Sequence, residues 1–182
     1  MKKKFHKSIL RAYDIRGIIG ETLNTEDAYA LGYKFSCFVR KKKTSRVVVG
    51  YDGRISSKLL NSELIRGLVD AGSNVTSVGL CPSPMLYFAE KVLRPEGAIM
   101  ITGSHNPSNY NGFKIIVNGK SLHGNGILKL ANYTAKGLPD KGQAKSFKID
   151  ESYLMKVTDD LKNINPDLKV VWDAGNGAAE IS

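Results

Sequence analysis

Three consecutive segments in the first half of the sequence constrain its fold most strongly. A continuous β-branched run, RVVVGY at 46–51, precedes the amphipathic stretch SSKLLNSELIRGLVDAG at 56–72 and the short apolar run VTSVG at 75–79. The two apolar runs have the composition of buried strands, and the serine and glycine that flank the middle segment mark the start and end of a helix. Strand, helix and strand with short joints predict a βαβ unit, with parallel strands and a right-handed crossover.

Further periodic segments extend this unit on both sides. The helices predicted from apolar spacing cover 25–40, with Asn24 or Thr25 as N-cap, then 84–93, 125–136 and 151–161. The further predicted strands cover 97–102 and 113–119. The stretch 136–150 is polar and contains glycine, so we interpret it as a surface loop.

The composition is that of a soluble globular protein. The chain has 182 residues, of which 42% are hydrophobic and 24% are charged. No run approaches the ~20 apolar residues that a membrane helix needs, and the start MKKKFHKSIL lacks the apolar region of a secretory signal. Cys37 and Cys81 are far apart and lack metal-type spacing. Reduced thiols in a cytoplasmic protein are therefore expected.

The net charge of +10 raises the question of an anionic partner. The lysines are mostly scattered, and the cluster RKKK at 40–43 falls where a predicted helix ends, where cations suit the helix dipole. No aromatic residues alternate with these cations as they do in surfaces that stack on bases. We therefore expect neither nucleic acid nor a membrane as a partner.

The stretch ITGSHNPSNYNGFKI at 101–115 is the strongest candidate for a functional site. Ser104 follows directly on a predicted strand end, where α/β sheets place their ligands, and Gly103 allows the backbone to approach closely. Because His105 is adjacent to the serine, the pair is poorly placed for a hydrolase triad, and no G-x-S-x-G elbow is present. A serine that carries a phosphoryl group fits better, although a serine that merely satisfies a turn is the ordinary alternative.

The neighbours of this serine allow two interpretations each. His105 is either an acid/base or a loop residue with local hydrogen bonds. Lys114 points to the face of its strand opposite Phe113, where it is either solvated or able to neutralise a phosphate. His6 and His123 have no such neighbours and are interpreted as surface residues.

Two further stretches place charges beside glycine. RAYDIRGIIG at 11–20 contains Arg16 and Asp14 just before Gly17, and alone it could be an edge strand with a salt bridge. GYDGRISS at 50–57 ends a strand and starts a helix, which favours an anion near the helix N-terminus. Alternatively, Asp52 and Arg54 pair with each other and fix the turn.

Together these stretches resemble the α-D-phosphohexomutase family, in particular its bacterial phosphomannomutase/phosphoglucomutase branch. Four segments carry the resemblance in order: RAYDIRG at 11–17, VGYDGR at 49–54, TGSHNPSNYNGFK at 102–114 and VVWDAGNG at 170–177. The resemblance implies an α/β fold with a mixed, mainly parallel sheet sandwiched between helices. The pattern alone indicates a second domain, because LKVVWDAGNGAA at 168–179 has a strand-like apolar run, 168–174, that leads into a glycine turn which should open a helix. We therefore predict a first domain over 1–151 and the incomplete start of a second α/β domain, beginning near Ser152, over 152–182.

The resemblance further implies interconversion of a hexose 6-phosphate and a hexose 1-phosphate. Ser104 would be a phosphoserine that passes its phosphoryl group to the phosphosugar substrate, giving a hexose 1,6-bisphosphate that reorients and returns its other phosphate to Ser104. Mg²⁺ would bind a phosphoryl oxygen on Ser104. Arg16 and Lys114 match positions beside the phosphoserine, Arg16 and Tyr13 match positions near the substrate, and His105 matches the residue beside the phosphoserine, in a supporting or acid/base role.

The sequence also departs from the family pattern. Family members have four domains around one cleft, and the Asp-rich metal loop, the sugar-selecting loop and the phosphate-binding loop have no match here; VVWDAGNG offers only Asp173, in a different motif. The chain alone is therefore expected to be inactive, or to work with a separate chain that carries the remaining domains. The predicted strand 168–174 lacks its own sheet, so we expect Val170, Val171 and Trp172 to be exposed or poorly packed.

Three functional hypotheses follow. The first is a phosphohexomutase part, and the second is a non-catalytic module that keeps the fold and binds an anion or a partner. Supplying the missing domains in trans separates them, because only the first predicts mutase activity that Ser104→Ala abolishes. The third is a serine hydrolase, which labelling of Ser104 by a fluorophosphonate would favour.

Overall fold

The computed structural model describes residues 3–40, 44–138, 140–159, 161, 167–171, 173, 175, 177 and 178. Within these residues a seven-stranded sheet has helices on both faces. The strands are β1 (Ile15–Ile18), β2 (Ser45–Tyr51), β3 (Ser73–Leu80), β4 (Gly97–Ile101), β5 (Tyr110–Val117), β6 (Lys120–Ser121) and β7 (Ala144–Ser146). The helices are α1 (Thr25–Val39), α2 (Ser57–Asp70), α3 (Ser83–Leu93), α4 (Asn125–Ala131) and α5 (Asp150–Thr158).

The sheet is mixed, and its central strands run parallel. The strand order is β1-β5-β4-β2-β3-β7, and β6 pairs with β5. β2 pairs in parallel with β3 and β4, and β3 pairs in parallel with β7. β5 runs antiparallel to β1, β4 and β6. The predicted βαβ unit is therefore confirmed as β2, α2 and β3, and the predicted fold class is confirmed with it.

Residues of β2 alternate between two hydrophobic cores because successive side chains of a strand point to opposite faces. Val47 and Val49 pack in the larger core with α1, α2 and α4, whereas Val48 packs in the smaller core with α3. Tyr153 of α5 adds to the smaller core, and its ring contacts Phe88 of α3 at 5.6 Å between centroids. The sheet is thus the middle layer of an α/β/α arrangement.

The start of α1 matches the sequence prediction. Asn24 is the N-cap, and its side chain accepts a hydrogen bond from the backbone N–H of Asp27 at 3.1 Å. The Asp27 carboxylate accepts one from the backbone N–H of Asn24 at 3.0 Å. This reciprocal capping box satisfies two N–H groups that the helix leaves without partners.

Helices α1 and α2 approach each other closely through two glycines. A Cβ on Gly32 would lie 2.2 Å from the Leu64 carbonyl oxygen, and one on Gly67 would lie 2.1 Å from the Tyr29 carbonyl oxygen. Only residues without side chains allow the two backbones to meet at this distance.

Three sequence predictions differ from the structure. The stretch 136–150 is not all loop, because β7 lies within it and pairs with β3. Its residues Ala-Lys-Ser are all exposed and carry no strand-like composition, so neither propensity nor alternation signals them. Helix α4 ends at Ala131 rather than near residue 136.

The third difference lies in the predicted strand 168–174. Residues 168–171 and 173 are not in a strand, and Trp172 and Ala174 lie outside the described residues. Val170 and Val171 are 68% and 96% exposed, as expected for an apolar segment without a sheet of its own. No described helix is long and apolar enough to cross a membrane.

Candidate active site

The serine loop lies at the carboxyl end of β4, beside the carboxyl end of β2. The parallel register pairs Tyr51 with Ile101 at the last position of both strands. Asp52 then follows β2, and its backbone N–H donates to the Ile101 carbonyl at 2.9 Å. The turn that carries Arg54 and the loop that carries Ser104 therefore start side by side. Both lie at the carboxyl ends of the parallel strands, where α/β folds bind ligands.

Ser104 has a left-handed backbone conformation, with a φ of 54°. A non-glycine residue in this region is strained by about 1–3 kcal/mol, and such residues concentrate at functional sites. Its backbone N–H donates to Thr102 Oγ1 at 2.8 Å, and its Oγ lies 3.4 Å from His105 Nδ1. Ser104 and His105 are both exposed, so the serine hydroxyl is available to a ligand.

Arg54 binds the backbone of the serine loop. Its Nη1 donates to the carbonyls of Pro107 at 2.7 Å and Tyr110 at 2.9 Å. Its Nη2 donates to the carbonyls of Ser104 at 2.9 Å and Asn106 at 2.6 Å. One guanidinium therefore satisfies four loop carbonyls.

Asp52 connects Arg54 to the rest of the fold. Its Oδ2 lies 3.4 Å from Arg54 Nε and accepts from the Gly103 backbone N–H at 3.3 Å. Its Oδ1 accepts from Ser57 Oγ at 2.5 Å and from the Arg54 backbone N–H at 3.1 Å. The fully buried Asn111 donates to Ser57 Oγ at 2.9 Å. Of the two interpretations of this turn, the pairing of Asp52 with Arg54 is the one that the structure contains.

Arg16 and Lys114 meet at a buried carboxylate. Asp14 is only 5% exposed, and its Oδ2 forms a salt bridge with Arg16 Nη2 and lies 3.6 Å from Lys114 Nζ. The edge-strand interpretation of 11–20 with a salt bridge therefore matches the structure. Lys114 is neither fully solvated nor free of a counter-charge.

The sheet register places these cations near the serine loop. Gly112 of β5 pairs with Arg16 of β1 on one side. On the other side its carbonyl accepts a hydrogen bond from the backbone N–H of Thr102 at 3.0 Å. Neighbouring strands are ~4.8 Å apart, so the Cα atoms of Arg16 and Thr102 are separated by about 10 Å. Ile15 and Phe113 pack in the larger core, so Arg16 and Lys114 lie on the opposite face, with α3.

Tyr13 is one of the most exposed aromatic residues, at 76%. Its ring centroid lies 6.5 Å from that of His123. The segment is held by a hydrogen bond from the Gly124 backbone N–H to the Ala12 carbonyl at 2.7 Å. His123, interpreted from sequence as an isolated surface residue, is therefore a neighbour of a candidate substrate-binding residue.

An open cleft of about 650 Å³ lies beside Ser104. Its lining includes residues of the serine loop, of the Arg54 turn, of α3 and of the last described segment: Ser104, Asn106, Asp52, Arg54, Ser83, Gly177 and Ala178. Arg16, Lys114, Tyr13 and His105 are not among its lining residues. Lys114 instead lines a smaller cavity of about 350 Å³ with Glu90 and Lys91. The candidate residues thus share one end of the sheet but not one enclosed pocket.

The described residues do not build a metal site by themselves. Among them, no group of three or more histidine, cysteine, aspartate or glutamate side chains could hold a metal ion. Asp52 is the acidic residue that lines the cleft, and its oxygens already accept hydrogen bonds from Arg54, Gly103 and Ser57. The donor set of these residues therefore does not fit a resident Mg²⁺ ion.

Sequence reasoning missed the roles of three residues. Asp14 and Arg54 are visible in the sequence as charges beside turns, but the carbonyls that Arg54 binds belong to a loop 50 or more residues away. The pair Asn111-Gly112 predicts from sequence a turn that opens the strand 113–119. In the structure both residues lie within β5, and the Asn111 side chain is a buried donor to Ser56 and Ser57, a contact that the sequence does not indicate.

Comparison with known proteins agrees with the geometry. Residues 7–139 match the family model described as phosphoglucomutase/phosphomannomutase, alpha/beta/alpha domain I. The chain belongs to this family. Among curated relatives, the phosphomannomutase/phosphoglucomutase of Pseudomonas putida is 44% identical over 180 residues, which cover 96% of this chain and 38% of that protein. A phosphoglucomutase of Neisseria meningitidis serogroup B is 38% identical, over 94% of this chain and 38% of that protein.

Solved structures of this phosphoglucomutase/phosphomannomutase family share the fold. A family protein from Burkholderia thailandensis has a TM-score of 0.76 and 34% identity, over 86% of this chain and 36% of that chain. A putative phosphomannomutase from Thermus thermophilus has a TM-score of 0.73 at 23% identity, over 89% of this chain and 38% of that chain, which speaks for the fold alone. The chain spans about two fifths of the length of the curated relatives that it matches.

Proposed function

We propose that this chain contributes the phosphoserine part of a phosphohexomutase active site. The observation that carries the proposal is the strained, exposed Ser104 on a clamped loop at the carboxyl end of β4. Phosphorylated Ser104 passes its phosphoryl group to the free hydroxyl of a hexose monophosphate, and the hexose 1,6-bisphosphate so formed returns its other phosphoryl group to Ser104. Hexose 6-phosphate and hexose 1-phosphate thereby interconvert. In each transfer to the sugar, a sugar hydroxyl oxygen bonds to phosphorus, the bond to Ser104 Oγ breaks, and the hydroxyl proton passes to a base.

The neighbouring residues have supporting roles in this proposal. His105, 3.4 Å from Ser104 Oγ, is the candidate proton carrier. Arg16 and Lys114 provide positive charge on the same end of the sheet, where a transferring phosphoryl group gains from nearby cations. The exposed ring of Tyr13 is the candidate surface for the sugar. A hexose 1,6-bisphosphate is the proposed intermediate, and the cytoplasm is the proposed location.

Magnesium and the missing groups are part of the same proposal. Because the described residues do not form a metal site, Mg²⁺ requires donors from elsewhere. We propose that these donors, and the residues that select the sugar, belong to further domains, on this polypeptide or on a separate chain. Residues 1–151 are then the first domain, and 152–182 begin the second.

A chimera tests this function directly. This chain replaces the matching segment of the Pseudomonas putida relative, and turnover of mannose 1-phosphate and glucose 1-phosphate is followed in a coupled assay with a trace of bisphosphate. We expect activity in the chimera, loss of at least about 10³-fold with Ser104→Ala, and no turnover by the 182-residue chain alone. A folded chimera without activity beside an active parent would contradict the proposal and favour a non-catalytic, anion-binding module.

A further inference from the structure

The guanidinium of Arg54 has no donor left for a ligand. Arginine has five N–H groups. The four on Nη1 and Nη2 match the carbonyls of Ser104, Asn106, Pro107 and Tyr110, and the one on Nε faces Asp52. The side chain is 15% exposed and its charge is balanced by Asp52. Arg54 is therefore poorly suited to bind a phosphate, although it lines the cleft.

The loop is shaped around this guanidinium. A Cβ on Gly103 would lie 2.4 Å from Arg54 Cζ and 2.5 Å from Nε, so a side chain at 103 would displace the guanidinium. The Gly103 carbonyl accepts from the Asn106 side chain at 2.9 Å and from the Asn106 backbone N–H at 3.1 Å. The glycine is thus required by contact with Arg54.

The same contacts determine the conformation of Ser104. Its carbonyl is bound to Arg54 Nη2, and its backbone N–H is bound to Thr102 Oγ1. With both peptide groups held, the left-handed φ of 54° persists despite its strain. Ser104 is exposed in this conformation, so its Oγ is accessible to a reactant.

We propose that Arg54 is a positioning residue, which holds Ser104 in its left-handed conformation by binding four loop carbonyls with one planar guanidinium. Its effect on phosphoryl transfer rests on the proposed function, whereas its effect on the loop does not. Lysine cannot substitute, because an ammonium group has three donors and no planar fork. If Arg54 instead supplied only positive charge, lysine would be an adequate replacement.

The test compares loop conformation in Arg54→Lys, Arg54→Ala and the wild-type chain. NMR gives the intraresidue NOE between the amide and α protons of Ser104, which is strong when φ is positive because the two protons are then close together. Hydrogen exchange gives the protection of the amides at 103–110. Arg46→Ala is the matched control, because Arg46 also binds a carbonyl, that of Arg94, and a carboxylate, that of Glu96, but at the other end of β2.

We expect both Arg54 variants to lose the strong intraresidue NOE of Ser104 and to exchange their loop amides at least roughly tenfold faster, with the β2 and β4 amides unchanged. Guanidinium ion at low, non-denaturing concentration should restore the loop of Arg54→Ala, and Arg46→Ala should leave the loop unchanged. Wild-type loop signals in Arg54→Lys would overturn the proposal. So would failure of guanidinium to restore Arg54→Ala.

Two additions cover the remaining outcomes. If Arg54→Ala does not fold, Arg54→Lys and Gly103→Ala serve as the test. Gly103→Ala retains Arg54 but moves its guanidinium away from the loop carbonyls. Global unfolding of all three variants would assign Arg54 to the core and overturn the proposal. The phosphorylation readout uses the chimera with the Pseudomonas putida relative, because the described residues of this chain do not supply the proposed metal donors. Mass spectrometry after incubation with glucose 1,6-bisphosphate records phosphorylation of Ser104 in the wild-type and Arg54→Lys chimeras. An unphosphorylated wild-type chimera, with a released loop in the variants, would count against the proposed function alone, whereas equal phosphorylation of the two chimeras would count against positioning.

Discussion

The backbone strain at Ser104 can be measured by comparing the stability of glycine and alanine at this position. Glycine adopts a left-handed φ without the steric cost that a Cβ brings, whereas elsewhere alanine is the more stable of the two because it restricts the unfolded chain. At position 104 the first effect should exceed the second, since the backbone is held at a φ of 54°. Both substitutions also remove the hydroxyl, so the difference between them reports the backbone alone.

We predict that Ser104→Gly is more stable than Ser104→Ala by roughly 0.5–1 kcal/mol. The measurement is the free energy of unfolding in urea at neutral pH. Ser108 is the matched control, because it is exposed in the same loop and is not among the residues with positive φ. At position 108 the order should reverse, with Ser108→Ala more stable than Ser108→Gly. Equal or greater stability of Ser104→Ala would mean that the loop does not hold the left-handed conformation in solution.

Some residues of the candidate site can be predicted from the sequence, and others cannot. The run around Ser104 predicts a functional loop at a strand end because its residue types and their order are local. Asp14 and Arg54 are recognisable only as charges beside turns, because their partners are supplied by the register of β1, β5 and β4 and by a loop distant in sequence. Local pattern therefore identifies the candidate side chain, Ser104, but not the groups that hold its loop.

At the scale of elements, the contact between α1 and α2 is determined by backbone proximity. The apolar periodicity of both helices is sufficient to predict them, but the distance between them depends on Gly32 and Gly67. In the sequence these glycines indicate only a low helix propensity. Strand β7 escapes prediction for the opposite reason. It is three exposed residues long and exists because β3 offers a free edge, which no property of Ala144–Ser146 reveals.

We predict that Gly67→Ala destabilises the protein by about 1–3 kcal/mol, although alanine favours helix by about 1 kcal/mol. The added Cβ would lie 2.1 Å from the Tyr29 carbonyl oxygen, and a backbone atom cannot move aside without separating the helices. Gly126→Ala in α4 is the control, because its Cβ would meet only the flexible end of Leu122, at 2.6 Å from Cδ1. Unfolding midpoints in urea measure both. A neutral Gly67→Ala would show that α1 and α2 are further apart than in the structure.

For the whole molecule, the central question is which part of the chain forms the cooperative unit. The two hydrophobic cores draw their buried residues from Ile9 to Ile149, and α5 adds the contact between Tyr153 and Phe88. Beyond α5, the apolar side chains of Leu168, Val170 and Val171 are all more than 60% exposed. Exposed apolar side chains contribute little to folding and promote association between molecules.

We therefore predict that deletion of residues 163–182 lowers the free energy of unfolding by less than about 1 kcal/mol and reduces aggregation. A truncation after Ile149 is the comparison, because it also removes α5 and with it Tyr153, and it should cost roughly 2 kcal/mol or more. Urea unfolding and light scattering on both variants make the test. Gly177 and Ala178 line the cleft beside Ser104. An equally large loss from the shorter deletion would mean that residues 163–182 pack on the α/β/α core. Residues 163–182 would then be part of its cooperative unit and not the start of an independent second domain.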